Sequence, residues 1–237
     1  MDRYIFNPFT ILALLIFGGL VLLLLPLVFL GIVGTAFLNL GFSWREVLLI
    51  LLAILAGSFV NIPITTLEGR GVVYHEEYVP FVRILYRIPL AAERTTLAIN
   101  VGGGLIPVII SLSLLAGSIS MTGSFLTAGL AVLGIPLVSI PVHLTSRAVR
   151  GLGIVSPFFI APLSALLCGL VLSVPAGGGS MAAPVIAYAS GTLGVLIGAD
   201  LLNLDRIRDL GAPMVSIGGT GTFDGIFLAG VIAAFLA

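Results

Sequence analysis

Residues 9–40 read FTILALLIFGGLVLLLLPLVFLGIVGTAFLNL, an apolar run with no charged side chain anywhere along it. A transmembrane helix needs about 20 mostly apolar residues at ~1.5 Å rise each, so this run crosses a bilayer with length to spare, about 48 Å if fully helical. Pro26 stands in its middle and predicts a bent or tilted span. Two half-spans are the alternative, each short for a bilayer. A signal peptide is a poorer fit, because the run is over twice the usual ~7–15 residue apolar region and lacks a small-x-small cleavage site.

The rest of the chain has the same character. Of 237 residues 59% are hydrophobic and 8% charged, against roughly 25% charged in a soluble domain, which excludes a soluble globular fold. Ten Arg balance ten Asp plus Glu and Lys is absent, so nucleic-acid binding through a basic surface is excluded. One cysteine, Cys168, allows neither a disulfide framework nor a thiolate metal site, and two histidines leave little for zinc. No metal and no cofactor are expected.

Stretches long enough to span recur at residues 9–40, 47–66, 95–117, 125–144, 154–172, 181–202 and 213–235. The predicted fold is therefore an all-α, polytopic transmembrane bundle of about seven spans, one integral membrane domain over residues 1–237. Alternating the sides puts Arg3, Arg70, Arg83, Arg87, Arg94, Arg147, Arg150, Arg206 and Arg208 on one side and Arg45 on the other. The positive-inside rule then predicts a cytoplasmic N-terminus and an external C-terminus in the cell membrane. Residues 67–94 form the one sizeable hydrophilic loop, on the cytoplasmic side. Within it Phe81, Ile84, Leu85 and Ile88 follow helical spacing beside Arg83 and Arg87, as in a helix lying on anionic headgroups.

Charges inside spans cost at least ~2.5–3.5 kcal/mol near the bilayer centre, and are functional candidates by default. Asp200 lies near the inner end of the sixth span, where it could pair with Arg206 or Arg208. Asp224 falls near mid-membrane in the seventh, with no cation within a helical turn in sequence, and must be protonated, paired or hydrated. Gly218, Gly219 and Gly221 precede it, each weakening a helix by roughly 1 kcal/mol against alanine. Residues 222–237 are too few to span alone, so the last span is read as broken, an unwound glycine stretch followed by a half-helix beginning beside Asp224. Asn100 with Gly102, Gly103 and Gly104 opens the third span as either a second unwound element or a site of close helix packing. Asn61 with Pro63 predicts a kink in the second span.

Two resemblances follow from these residues. The turn Gly198-Ala199-Asp200, the run DLGAP at 209–213 and the ending SIGGTGTFDGIFL at 216–228 resemble a prokaryotic integral-membrane family catalogued only as a domain of unknown function (DUF1614). Gly219-Thr220-Gly221 ahead of Asp224, followed by Ile226, Phe227 and Gly230, more faintly resembles the GxGD intramembrane aspartyl proteases. In those enzymes one Asp stands on each of two consecutive helices. Here Thr222 and Phe223 are inserted before the second Asp, Ala199 replaces the Tyr before the first, and the Pro-Ala-Leu signature is missing.

Two functions fit. A small ion- or proton-coupled transporter would bind its cation at Asp224, with carbonyls of Gly218, Gly219 and Gly221 and the Asn100 side chain completing the site. An intramembrane aspartyl protease would use Asp200 and Asp224 as a catalytic dyad. Expected partners are the lipid bilayer and a small solute, an ion or a membrane-embedded peptide, with no nucleic acid. Whether the two carboxylates share one site separates the readings.

Overall fold

A computed structural model describes residues 8–68, 94–122, 125–149, 153–177 and 181–237. Residues 69–93, with the proposed interfacial helix, lie outside the described residues.

The opening run forms one continuous helix, α1 (Pro8–Asn39), with Pro26 inside it, and not two half-spans. Its first two-thirds expose nearly every side chain, Phe9, Leu15 and Leu22 among them. Only its last turns pack, through Val33, Ala36, Phe37 and Leu40. A tight turn with Gly41 at φ 88° leads to α2 (Trp44–Gly57). Ser43 and Glu46 build a capping box there: the Ser43 N–H donates to Glu46 Oε2 at 2.7 Å, and the Glu46 N–H returns to Ser43 Oγ at 3.5 Å.

Beyond Gly57 the second span is not helical, contrary to the expectation for residues 47–66. Residues Asn61–Glu68 form strand β1, paired antiparallel with β2 (Arg94–Asn100). The physical reason is local: NIPITT and RTTLAI are rich in β-branched residues, and Pro63 cannot continue a helix. Pro63 is tolerated because β1 is an edge strand, with a register shift between Pro63 and Thr65. The kink expected at Asn61 is thus a change from helix to strand.

The third span likewise starts as strand β2, passes through a π-helical turn at Val101–Leu105, and only then becomes α3 (Ile106–Thr122). Helix α4 (Leu126–Thr145) matches the fourth span. A hairpin of β3 (Arg147–Val149) and β4 (Gly153–Val155) follows, so the fifth span becomes helical only at α5 (Ile160–Leu172). Helix α6 (Ala182–Val195) gives way to a π-turn at Leu196–Asp200, a 3₁₀ turn at Leu201–Asn203 and the single turn α7 (Leu204–Ile207). Strand β5 (Met214–Ile217) then pairs parallel with β2, and α8 (Gly225–Leu236) closes the described chain. Sheet order is β1-β2-β5.

Helix α6 is the axis of the bundle: from Pro184 to Val195 every residue is buried. It packs on α3, α4, α5 and α8. Small residues make the approach close, with Gly134 against Ser190, Gly194 against Val138, and Gly191 between Ala165 and Ala229. In lipid, where apolar burial alone drives nothing, such close approach is what holds helices together. The architecture is helical and predominantly α. Among the described residues four helical segments are long and apolar enough to cross a membrane, Phe9–Asn39, Val101–Ile119, Leu126–Thr145 and Ala182–Ile207. The remaining apolar helices are half-length and are continued by strands or turns.

Candidate functional site

The last span breaks where its glycines are. Gly218 and Gly221 take φ of 71° and 63°, left-handed values that favour glycine. Successive turns replace the helical ladder: the Gly219 N–H donates to Ser216 O, Gly221 to Gly218 O, and Asp224 to Gly221 O. The run from β5 into these turns is the unwound segment that the glycine cluster predicted.

The turn faces a second glycine element. A Cβ on Gly103 would clash with the Gly218 carbonyl oxygen and stand 2.6 Å from that of Gly221. One on Gly221 would meet Ser58 Oγ at 2.5 Å, and one on Gly57 would meet the Gly102 nitrogen at 2.9 Å. The end of α2, the π-turn and the 218–221 turn therefore interlock backbone to backbone. The glycines after Asn100 lie in a π-helical turn rather than an unwound segment, and serve as a close-packing surface. Asn100 is fully buried and laces the junction: its Oδ1 accepts from Gly103 N–H at 2.9 Å, and its Nδ2 donates to Ser58 O at 2.9 Å and Asn61 Oδ1 at 3.1 Å. Ser216 Oγ donates to the same Asn61 oxygen at 2.6 Å, tying β5 to β1.

Asp224 is the N-cap of α8. Its Oδ1 accepts from Ile226 N–H at 3.0 Å, and Oδ2 accepts from Thr220 Oγ1 at 3.0 Å and Thr220 N–H at 3.4 Å. An N-cap carboxylate takes up helix donors that would otherwise be orphaned, worth about 1 kcal/mol. Its depth follows from α1, which runs alongside α8. Phe29 and Phe223 rings lie 5.4 Å apart, and Asn39 Nδ2 reaches Ala234 O. The ten residues from Phe29 to Asn39 measure about 15 Å, half of a ~30 Å hydrocarbon core.

Asp200 ends the π-turn of the α6 continuation. Among the described residues its carboxylate has neither a hydrogen bond nor an ion pair. Arg206, its expected partner, donates instead to Ser146 O at 3.1 Å. Both aspartates are half-buried and line one cavity of about 740 Å³. Its walls include β5, Asn61, Thr220 and Ser156, whose buried hydroxyl has no hydrogen-bond partner among the described residues. Gly218 and Gly219 border this cavity, whereas Asn100 and Gly221 stand behind it. The Gly218 and Gly221 carbonyls already accept turn hydrogen bonds.

Sequence reading missed three participants. Thr220 holds Asp224, and Asn203 with His143 braces the turn that carries Asp200. Asn203 carried a faint signal, an amide three residues after an aspartate in an otherwise apolar run. The pairing of His143 with it across sixty residues carried none.

A core helix buried along its length and lipid-length apolar segments define a multi-pass α-helical membrane protein. Within that class the chain belongs to the family described as protein of unknown function (DUF1614), which matches residues 55–236. Helix α1 precedes the matched region. No curated protein and no solved structure matches the chain.

Proposed function

We propose that this protein is an intramembrane aspartyl hydrolase that cleaves membrane-embedded peptides, with Asp200 and Asp224 as its dyad. The observation that carries the reading is the convergence of two carboxylates, from two separate interrupted helices, on one cavity. A transport site needs Asp224 alone; of its other expected ligands Gly218 and Gly219 border the cavity, whereas Asn100 and Gly221 do not.

Hydrogen bonding divides the roles. Asp224 accepts three hydrogen bonds, which suits a carboxylate, an acceptor only. Asp200 accepts none from the described residues and is free to carry the proton that the pair shares. Water between them attacks the peptide carbonyl carbon while Asp224 takes its proton and Asp200 gives its own to the carbonyl oxygen, leaving a gem-diol. Collapse re-forms the carbonyl as Asp200 takes back a hydroxyl proton, the C–N bond breaks, and the amine leaves with the proton that Asp224 had taken.

The test is cleavage of single-span helical peptides, carrying a fluorophore and a quencher on opposite sides of the apolar segment, by protein reconstituted in liposomes. Asp200→Asn and Asp224→Asn should each lower the rate by about 10³-fold or more, with no further loss in the double variant, as for groups acting as a unit. Full activity of Asp200→Asn, or a wild-type protein that moves protons or cations and cleaves nothing, would overturn the reading in favour of transport.

A further inference from the structure

We propose that Asn203 is a positioning residue for Asp200, its amide clamping the π-turn and so setting how that carboxyl enters the cavity. The inference rests on the hydrolase reading for its consequence in catalysis, but on geometry alone for the positioning itself.

Asn203 is 1% exposed, at the end of the 3₁₀ turn that follows Asp200. Its Nδ2 donates to Gly198 O at 2.9 Å and to Ala199 O at 2.9 Å, the two residues immediately before Asp200. The amide is not reversible: turned over, Oδ1 would face two carbonyl oxygens, acceptor against acceptor. The third group at Nδ2 is His143 Nδ1, 3.2 Å away on α4. The amide has two hydrogens for three acceptors, so one is shared, and Nδ1 accepts in the ring tautomer that carries its proton on Nε2.

The opposite side of the turn is held as well. Gly198 lies against α4 so closely that a Cβ would clash with the Ser139 carbonyl oxygen. The main chain leading into Asp200 is thus pinned by backbone contact on one side and by one amide on the other. Asn203 Oδ1, meanwhile, is buried with no hydrogen-bond partner among the described residues. A leucine of similar size would fill this space without stranding an acceptor. The amide is accounted for by what its nitrogen holds, because π-turns in otherwise regular helices mark places where a side chain must be presented off the helical register.

Two measurements test this. The first needs no enzyme activity: in a Cys168→Ala/Asp200→Cys protein, the single thiol is titrated in liposomes with a small methanethiosulfonate reagent, with and without Asn203→Leu. The clamp predicts at least about a fivefold change in the labelling rate. Equal rates overturn the proposal. The second uses the active protein, where Asn203→Leu should lower kcat about tenfold with KM unchanged and move the pH profile of kcat by about half a unit. Loss of folded protein alone would lower kcat equally at every pH and overturn the positioning role. Should Asn203→Leu not fold, His143 substitutes for it. His143→Gln keeps an acceptor for the amide and should retain the wild-type profile, whereas His143→Leu should shift it, and identical profiles refute the clamp. If no variant cleaves peptide, the hydrolase reading fails while the thiol rates still decide the positioning.

Discussion

Gly103 is buried between two turns, and the chain around it leaves no room for a methyl group. Its neighbours are main-chain carbonyls of Gly218 and Gly221, which cannot swing aside as a side-chain tip would. Gly103→Ala should therefore lower thermal stability in detergent by about 1–3 kcal/mol, the usual cost of overpacking. Gly117→Ala is the control, since nothing lies within 4 Å of its would-be Cβ inside α3. It should leave stability unchanged or raise it by up to about 1 kcal/mol. At Asp224 the expectation is the reverse split. Asparagine caps helices as well as aspartate does, and its oxygen can still accept from Ile226 N–H. Asp224→Asn should keep the thermal midpoint within a few degrees while peptide cleavage disappears. A collapse of the fold would instead mark Asp224 as structural.

At the scale of elements, the start of α2 has a pH signature of its own, outside the apolar segments. The backbone N–H and hydroxyl of Ser43 hold Glu46 below its ordinary value of 4.5. A carboxyl held low in the folded state stabilises above its unfolded value, and loses that contribution as pH falls through the lowered one. Acidification below about 4.5 should therefore weaken this end of α2, and Glu46→Gln should flatten that part of the profile of midpoint against pH. An unchanged profile in Glu46→Gln would show that the box contributes nothing measurable. Element boundaries also show where hydropathy misleads. Residues 59–66 and 95–100 are apolar enough to pass for helix, but their β-branched residues and Pro63 favour an extended chain, and each strand finds its partner far away in sequence. Hydropathy reports burial in apolar surroundings, not which backbone hydrogen bonds are made there.

At the scale of the whole molecule, the described arginines separate by end. Arg206 reaches the Ser146 carbonyl next to Arg147, and Thr95 next to Arg94 donates to Ala212 O, so these connections share one end of the bundle. Arg45 lies at the other, where Gly41 meets Met181 at the start of α6. The positive-inside rule predicts that the arginine-rich end faces the cytoplasm and that the C-terminus faces out. Reporter fusions at Ala237 should behave as external, and a cytoplasmic signal there would overturn the odd number of passes.

What the sequence determined by itself is whatever depends on one residue's chemistry and its near neighbours. That includes the membrane environment, from runs such as residues 9–40, and the break before Asp224, from Gly218, Gly219 and Gly221, whose lack of a Cβ is a local property. Both aspartates stood out because a carboxyl in an apolar stretch is costly wherever the chain goes. Tertiary structure decided what depends on distance between segments. Only the packing of α6 against α8 brings Asp200 and Asp224 to one cavity, only strand pairing turns the ends of three expected helices into a sheet, and only the crossing of α4 puts His143 against Asn203. Those contacts join residues far apart along the chain, and a sequence periodicity carries no information about which distant face will meet it.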